Sequence, residues 1–157
     1  MDLINLINHY NRQPENLISI LLDYQQSKDD NCITEDEVKL IAREMKISES
    51  RIYSILTFYS LFSVKPRGKF IIQVCTDIPC YVNGSTDIIQ ILEDSLLIKM
   101  GETTPDGVFT LEYTSCIGCC DKSPAIRIDS ETYGNLTASS LSGILAAYRR
   151  KFNEDRE

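Results

Sequence analysis

Lys69-Phe70-Ile71-Ile72-Gln73-Val74-Cys75 is the stretch on which the fold turns. It is short, β-branched and largely apolar, the composition of a buried strand, and it ends on a cysteine. Such a strand delivers its last side chain to the end of a sheet. Cys80 follows after four residues, and a second pair, Cys116 and Cys120, stands about forty residues on with three residues between them. Four thiolates on two loops that close on one point make a metal-cluster site. The spacing admits an iron–sulfur cluster and a structural zinc alike, with a redox-active disulfide as a third reading.

C-terminal to the strand, cap candidates at Asn83, Ser85 and Thr86 lead into Asp87-Ile88-Ile89-Gln90-Ile91-Leu92-Glu93, which reads as a helix. Thr103-Thr104-Pro105-Asp106-Gly107 is a turn. Beyond it Val108, Thr110 and Glu112 alternate with Phe109, Leu111 and Tyr113 in a strand running to Cys116. Ala125-Ile126-Arg127-Ile128-Asp129 and Thr132-Tyr133 extend the sheet. Thr137 opens a last helix carrying Leu141, Ile144, Leu145 and Tyr148, with Arg149-Arg150-Lys151 at its negative pole. The layout is β-α-β-β-α.

On the N-terminal side of the strand the apolar period is helical. Leu3, Ile4, Leu6, Ile7 and Tyr10 mark a first helix; Pro14 starts a second that carries Leu17, Ile18, Leu21 and Leu22. Thr34 and Glu37 form a capping box, with Ile33 and Val38 as its hydrophobic staple, ahead of Ile41, Ala42 and Met45. Ser48 caps a fourth helix lined by Ile52, Ile55, Leu56 and Tyr59. The expected class is therefore α+β: an N-terminal helical bundle over 1–66, then an α/β domain with a mixed sheet over 67–157.

Composition narrows the function. Of 157 residues, 43% are hydrophobic and 25% charged, enough for real cores, and the net charge of −7 argues against a nucleic-acid partner. Neither a signal-like leader nor a membrane-spanning run is evident, so the expected location is the cytoplasm, where thiols stay reduced and serve as metal ligands before disulfides. Structural zinc usually staples a domain with too little core, and this sheet buries its own apolar surface. That setting favours an iron–sulfur cluster over zinc. Gly118 and Gly84 can supply the turns that aim N–H groups at sulfur.

Val74-Cys75-Thr76-Asp77-Ile78-Pro79-Cys80, Gly101 to Gly107, Cys116-Ile117-Gly118-Cys119-Cys120 and Tyr133-Gly134-Asn135-Leu136-Thr137 together resemble the signature segments of the thioredoxin-like [2Fe-2S] ferredoxin family. Its members include the NuoE-type subunit of respiratory complex I and the small subunits of soluble NAD(P)-linked hydrogenases and formate dehydrogenases. Phe58-Tyr59-Ser60 also resembles a recurring segment ahead of the ferredoxin domain in that family. The resemblance implies a thioredoxin-like fold for 67–157 and one [2Fe-2S] cluster on Cys75, Cys80, Cys116 and Cys120. It further implies a flavoprotein partner subunit that holds FMN, an NAD(P) site and more iron–sulfur centres in a hetero-oligomeric complex. The chain would then be an electron-transfer subunit, not catalytic alone and not inserted in a membrane. A soluble hydrogenase, including the electron-bifurcating kind, is preferred to a complex I arm, and a structural zinc adaptor is the alternative of another class.

Four positions depart from the family pattern. Cys119 stands where a small residue is usual and is read as a small hydrophobe rather than a spare ligand. Asp77 and Ile78 are larger than usual, and Asp77 would lower the potential of a nearby cluster; Asn83 replaces a common basic residue. Cys32 is read as packing and His9, the single histidine, as a surface residue. No Ser/His/Asp set, paired-carboxylate motif or phosphate-binding glycine loop is present, so hydride chemistry is assigned to another chain.

Overall fold

The computed structural model describes residues 2–154; the outermost positions of the two expected domains, 1 and 155–157, lie outside the described residues. The chain divides into two compact units, Met1–Arg67 and Gly68–Glu157. Among the described residues these hold seven α-helices and one four-stranded mixed sheet, the α+β class the sequence predicts.

The first unit packs α1 (Leu3–His9), α2 (Leu17–Gln26), α3 (Glu35–Met45) and α4 (Glu49–Phe58) around one apolar cluster. The capping box of α3 is complete. Thr34 N–H donates to Glu37 Oε2 at 2.7 Å and Glu37 N–H to Thr34 Oγ1 at 3.4 Å, while Ile33 and Val38 are buried together. Glu37 also accepts from Lys28 Nζ at 2.8 Å and Tyr24 Oη at 2.7 Å, so one carboxylate joins α2, the intervening loop and α3. Pro14 does not open α2 as expected. It starts a short 3₁₀ turn, Pro14–Asn16, and α2 begins at Leu17. Leu17, Ile20 and Leu21 then form the buried stripe, and the roughly 100° step per residue carries Ile18 out to solvent, as it does Ile4 on α1. The buried Gln25 amide donates to Leu61 O and accepts from Ser63 N–H, which fixes the segment after α4 and seats Phe62 in the core.

The second unit is built on β1 (Phe70–Cys75), with sheet order β2-β1-β3-β4. β2 (Phe109–Thr114) runs parallel to β1; β3 (Ile126–Ile128) and β4 (Glu131–Tyr133) are antiparallel additions. The central place of β1 explains its apolar composition, although only one of its faces is fully buried. Phe70, Ile72 and Val74 pack against Leu92 of α6 (Ser85–Leu96) and Leu141, Leu145 and Tyr148 of α7 (Ala138–Glu154), each fully buried aliphatic side chain contributing about 1.5–3 kcal/mol. Ile71 and Gln73 on the other face are half-buried, and Gln73 Oε1 accepts two N–H groups of Arg127. Thr137 and Ser140 cap α7 reciprocally. No helix among the described residues is long and apolar enough to cross a membrane.

Candidate metal centre

Because β1 and β2 are parallel, their C-terminal ends lie side by side: Cys75 pairs with Thr114, two residues before Cys116. The sequence leaves Cys80 in a loop, but it sits in a short helix, α5 (Ile78–Val82), placed between β1 and α6. Pro79 in the first turn and Asp77 at the N-cap are the signals for that helix. A turn of helix reverses the chain after β1, and Cys80 comes back onto Cys75. Their thiols are hydrogen-bonded, and both are buried with Ala125 and flanked by the half-buried Ile117 and Cys119.

The second pair is closer to solvent. Cys116 Sγ and Cys120 Sγ lie 3.3 Å apart, and both residues are exposed. Gly118 between them adopts φ +83°, which turns its N–H toward Cys116 Sγ at 3.4 Å. A second amide, that of Ala125, is aimed at the Cys80 sulfur. Two side chains at the ends of α5 reach this segment: the Asp77 carboxylate accepts the Cys116 N–H, and Asn83 Nδ2 donates to Ser123 Oγ at 2.8 Å. The 3₁₀ turn Cys120–Lys122 is held from the other side, where Asn135 N–H donates to the Lys122 carbonyl beside Gly134.

All six cysteines are free thiols. Burial, then the Cys75 thiol, pushes the Cys80 thiol up to about 11; the hydrogen bond with Cys116, with Cys75 and Asp77 adding charge, raises that of Cys120. Thiols that raise one another's pKa do not ionise together unaided, and a cationic centre among them reverses the balance and releases their protons. Two thiol pairs with N–H groups directed at sulfur are a donor set that fits a [2Fe-2S] cluster. No three or more His, Cys, Asp or Glu side chains among the described residues form a group that could hold a metal ion; the thiols stand as two pairs. Cys119 lies half-buried beside Cys75 and Cys80, Cys32 is buried in the helical unit, and His9 is exposed on α1. Sequence reasoning found both cysteine pairs but missed the Ala125 amide and the Asp77 bond to Cys116, which join residues far apart in the chain.

The thioredoxin-like [2Fe-2S] ferredoxin family matches residues 3–149. The E subunit of NADH-quinone oxidoreductase from Rickettsia felis is 36% identical over 132 residues, covering 84% of this chain and 79% of that protein. Its counterpart in Buchnera aphidicola subsp. Baizongia pistaciae is 38% identical over 149 residues, covering 95% and 86%. Among solved structures, a chain of the NAD+-reducing [NiFe]-hydrogenase in the air-oxidized state superimposes with a TM-score of 0.74 at 18% identity. That likeness covers 89% of this chain but 24% of the hydrogenase chain, so it speaks for the fold alone. With the two thiol pairs gathered at the ends of β1 and β2 and nearly the whole length matched, the chain belongs to the thioredoxin-like [2Fe-2S] ferredoxin family.

Proposed function

We propose that this chain is an electron-transfer subunit of a multi-subunit NADH-linked oxidoreductase of the NADH-quinone oxidoreductase kind. Cys75, Cys80, Cys116 and Cys120 would hold its [2Fe-2S] cluster. The observation that carries the reading is that two thiol pairs, Cys75 with Cys80 and Cys116 with Cys120, follow the neighbouring C-terminal ends of the parallel strands β1 and β2. The preference for a soluble hydrogenase gives way here. The relatives matched over three quarters or more of their length are E subunits of NADH-quinone oxidoreductases, whereas the hydrogenase likeness rests on 18% identity.

When bound, such a cluster takes up and gives back one electron at a time. The chain's own residues supply the rest. Cys75 and Cys80 are buried against Ala125 and Ile117, while Cys116 and Cys120 face the surface, the side open to a partner. The N–H groups of Ala125 and Gly118 steady negative charge on sulfur. A flavoprotein subunit holding FMN and an NAD(P) site would split hydride pairs into single electrons. The helical unit is the natural docking element, since it leaves Phe58 78% exposed beside the exposed Tyr59 and Leu61.

The experiment is anaerobic purification of the chain with its co-purifying subunits, assay of iron, sulfide and zinc, and EPR before and after dithionite. Two irons with two sulfides, and a signal only after reduction, are expected, with an NADH-quinone oxidoreductase flavoprotein subunit among the partners. Zinc alone would establish the structural adaptor instead; a nickel–iron partner would restore the hydrogenase reading.

A further inference from the structure

We infer that Asp77 and Asn83, at the two ends of α5, clamp the helix bearing Cys80 onto the segment bearing Cys116 and Cys120, and that the Asp77 carboxylate holds the site at a lower reduction potential than a neutral side chain would. The inference rests on the proposed ligation by the four cysteines. Its first ground is a diverted cap. An aspartate at an N-cap ordinarily accepts an N–H of its own helix, yet Asp77 makes no such bond; its carboxylate accepts the backbone N–H of Cys116, 39 residues away. At the other end Asn83 spends both hydrogens of Nδ2, one on Pro79 O within α5 and one on Ser123 Oγ, each at 2.8 Å.

The length of α5 gives these bonds their weight. Five residues are too few to hold a helix by its own hydrogen bonds, so α5 keeps its place through contacts made elsewhere. Among them are the buried Cys80 side chain and these two ties, both directed at the stretch from Cys116 to Ser123. The electrostatic part follows from the same contact. A carboxylate at the first residue of the second thiol pair opposes the negative charge that one-electron reduction by dithionite would add, and it occupies an amide hydrogen otherwise free to face sulfur.

The two roles separate by substitution in the full-length, cluster-loaded chain. Asp77→Asn keeps an acceptor for the Cys116 N–H and removes the charge. Its potential, read by EPR-monitored titration, should rise, while iron release to a chelator stays at the wild-type rate. Asn83→Ala removes one tie without a charge change and should release iron about fivefold faster, the factor for one lost hydrogen bond. Asp77→Ala should show both effects. Asp94→Asn, the same charge change more than two turns along α6, should leave the potential nearly unmoved. An unchanged potential in Asp77→Asn, an equal rise in Asp94→Asn, or wild-type release rates in both alanine variants would overturn the inference. A wild-type chain that binds no iron–sulfur cluster would instead overturn the ligand assignment on which it rests.

Discussion

Gly134→Ala is a small change whose cost can be worked from one contact. A Cβ at Gly134 would stand 2.5 Å from Lys122 Cβ and 2.6 Å from the Lys122 carbonyl oxygen. Carbon atoms in contact settle near 3.5–4.0 Å, so the turn Cys120–Lys122 must retreat by about 1 Å. Much of the obstruction is backbone, which has no rotamer into which to escape. The retreat stretches the Asn135 N–H bond to the Lys122 carbonyl beyond hydrogen-bond length, a loss of about 1 kcal/mol. Forced overpacking adds about 1–3 kcal/mol. The total of roughly 2–4 kcal/mol corresponds, for a unit of this size, to a fall in Tm of roughly 10–25 °C. Cys120 begins the displaced turn, so iron retention should fall as well. Gly143→Ala is the control: its Cβ would meet nothing within 4 Å, and in the middle of α7 it should stabilise by about 0.5–1 kcal/mol. Calorimetry of both variants, with iron analysis, decides the matter. A Gly134→Ala chain that melts with the wild type and keeps its iron would refute the steric argument.

Two further predictions concern the thiols and the helical unit. Serine at Cys75, Cys80, Cys116 or Cys120 should bring iron below two per chain, whereas Cys119→Ser and Cys32→Ser should keep two; iron and sulfide analysis of the purified variants checks this. Burial works to raise the Glu37 carboxyl, but Lys28, the Thr34 N–H and the Tyr24 hydroxyl together hold it below its ordinary value of 4.5. A depressed carboxylate contributes stability above its unfolded pKa and loses it as pH falls through the folded one, so the helical unit should weaken in acid below about pH 4.5. Glu37→Gln should cost about 1 kcal/mol at neutral pH and flatten that acid limb, as urea unfolding at stepped pH would show.

Helix starts were legible where a side chain bonds back to its own helix, but not at Pro14, which opens a 3₁₀ turn instead of α2. The capping box at Thr34 and Glu37 and the cap at Ser48 are set by residues three apart, and each appears in the structure where the sequence places it. The cysteine pairs were legible for the same reason, since a separation of only four or five positions fixes which side chains travel together. α5 was missed because its apolar residues Ile78, Tyr81 and Val82 face solvent and give no amphipathic stripe to read.

By itself the sequence determined the class of fold, the order of its strands and longer helices and the thiol chemistry, because periodicity, caps and thiol spacing are properties of neighbouring residues. Only the tertiary structure decided that the strands ending near the two thiol pairs are parallel partners, that α5 returns Cys80 to Cys75, and that Ala125, Asp77 and Gly134 attend the site. Those relations join positions tens of residues apart. They depend on which strand lies beside which and how closely two backbones approach, and no local pattern of residues encodes either.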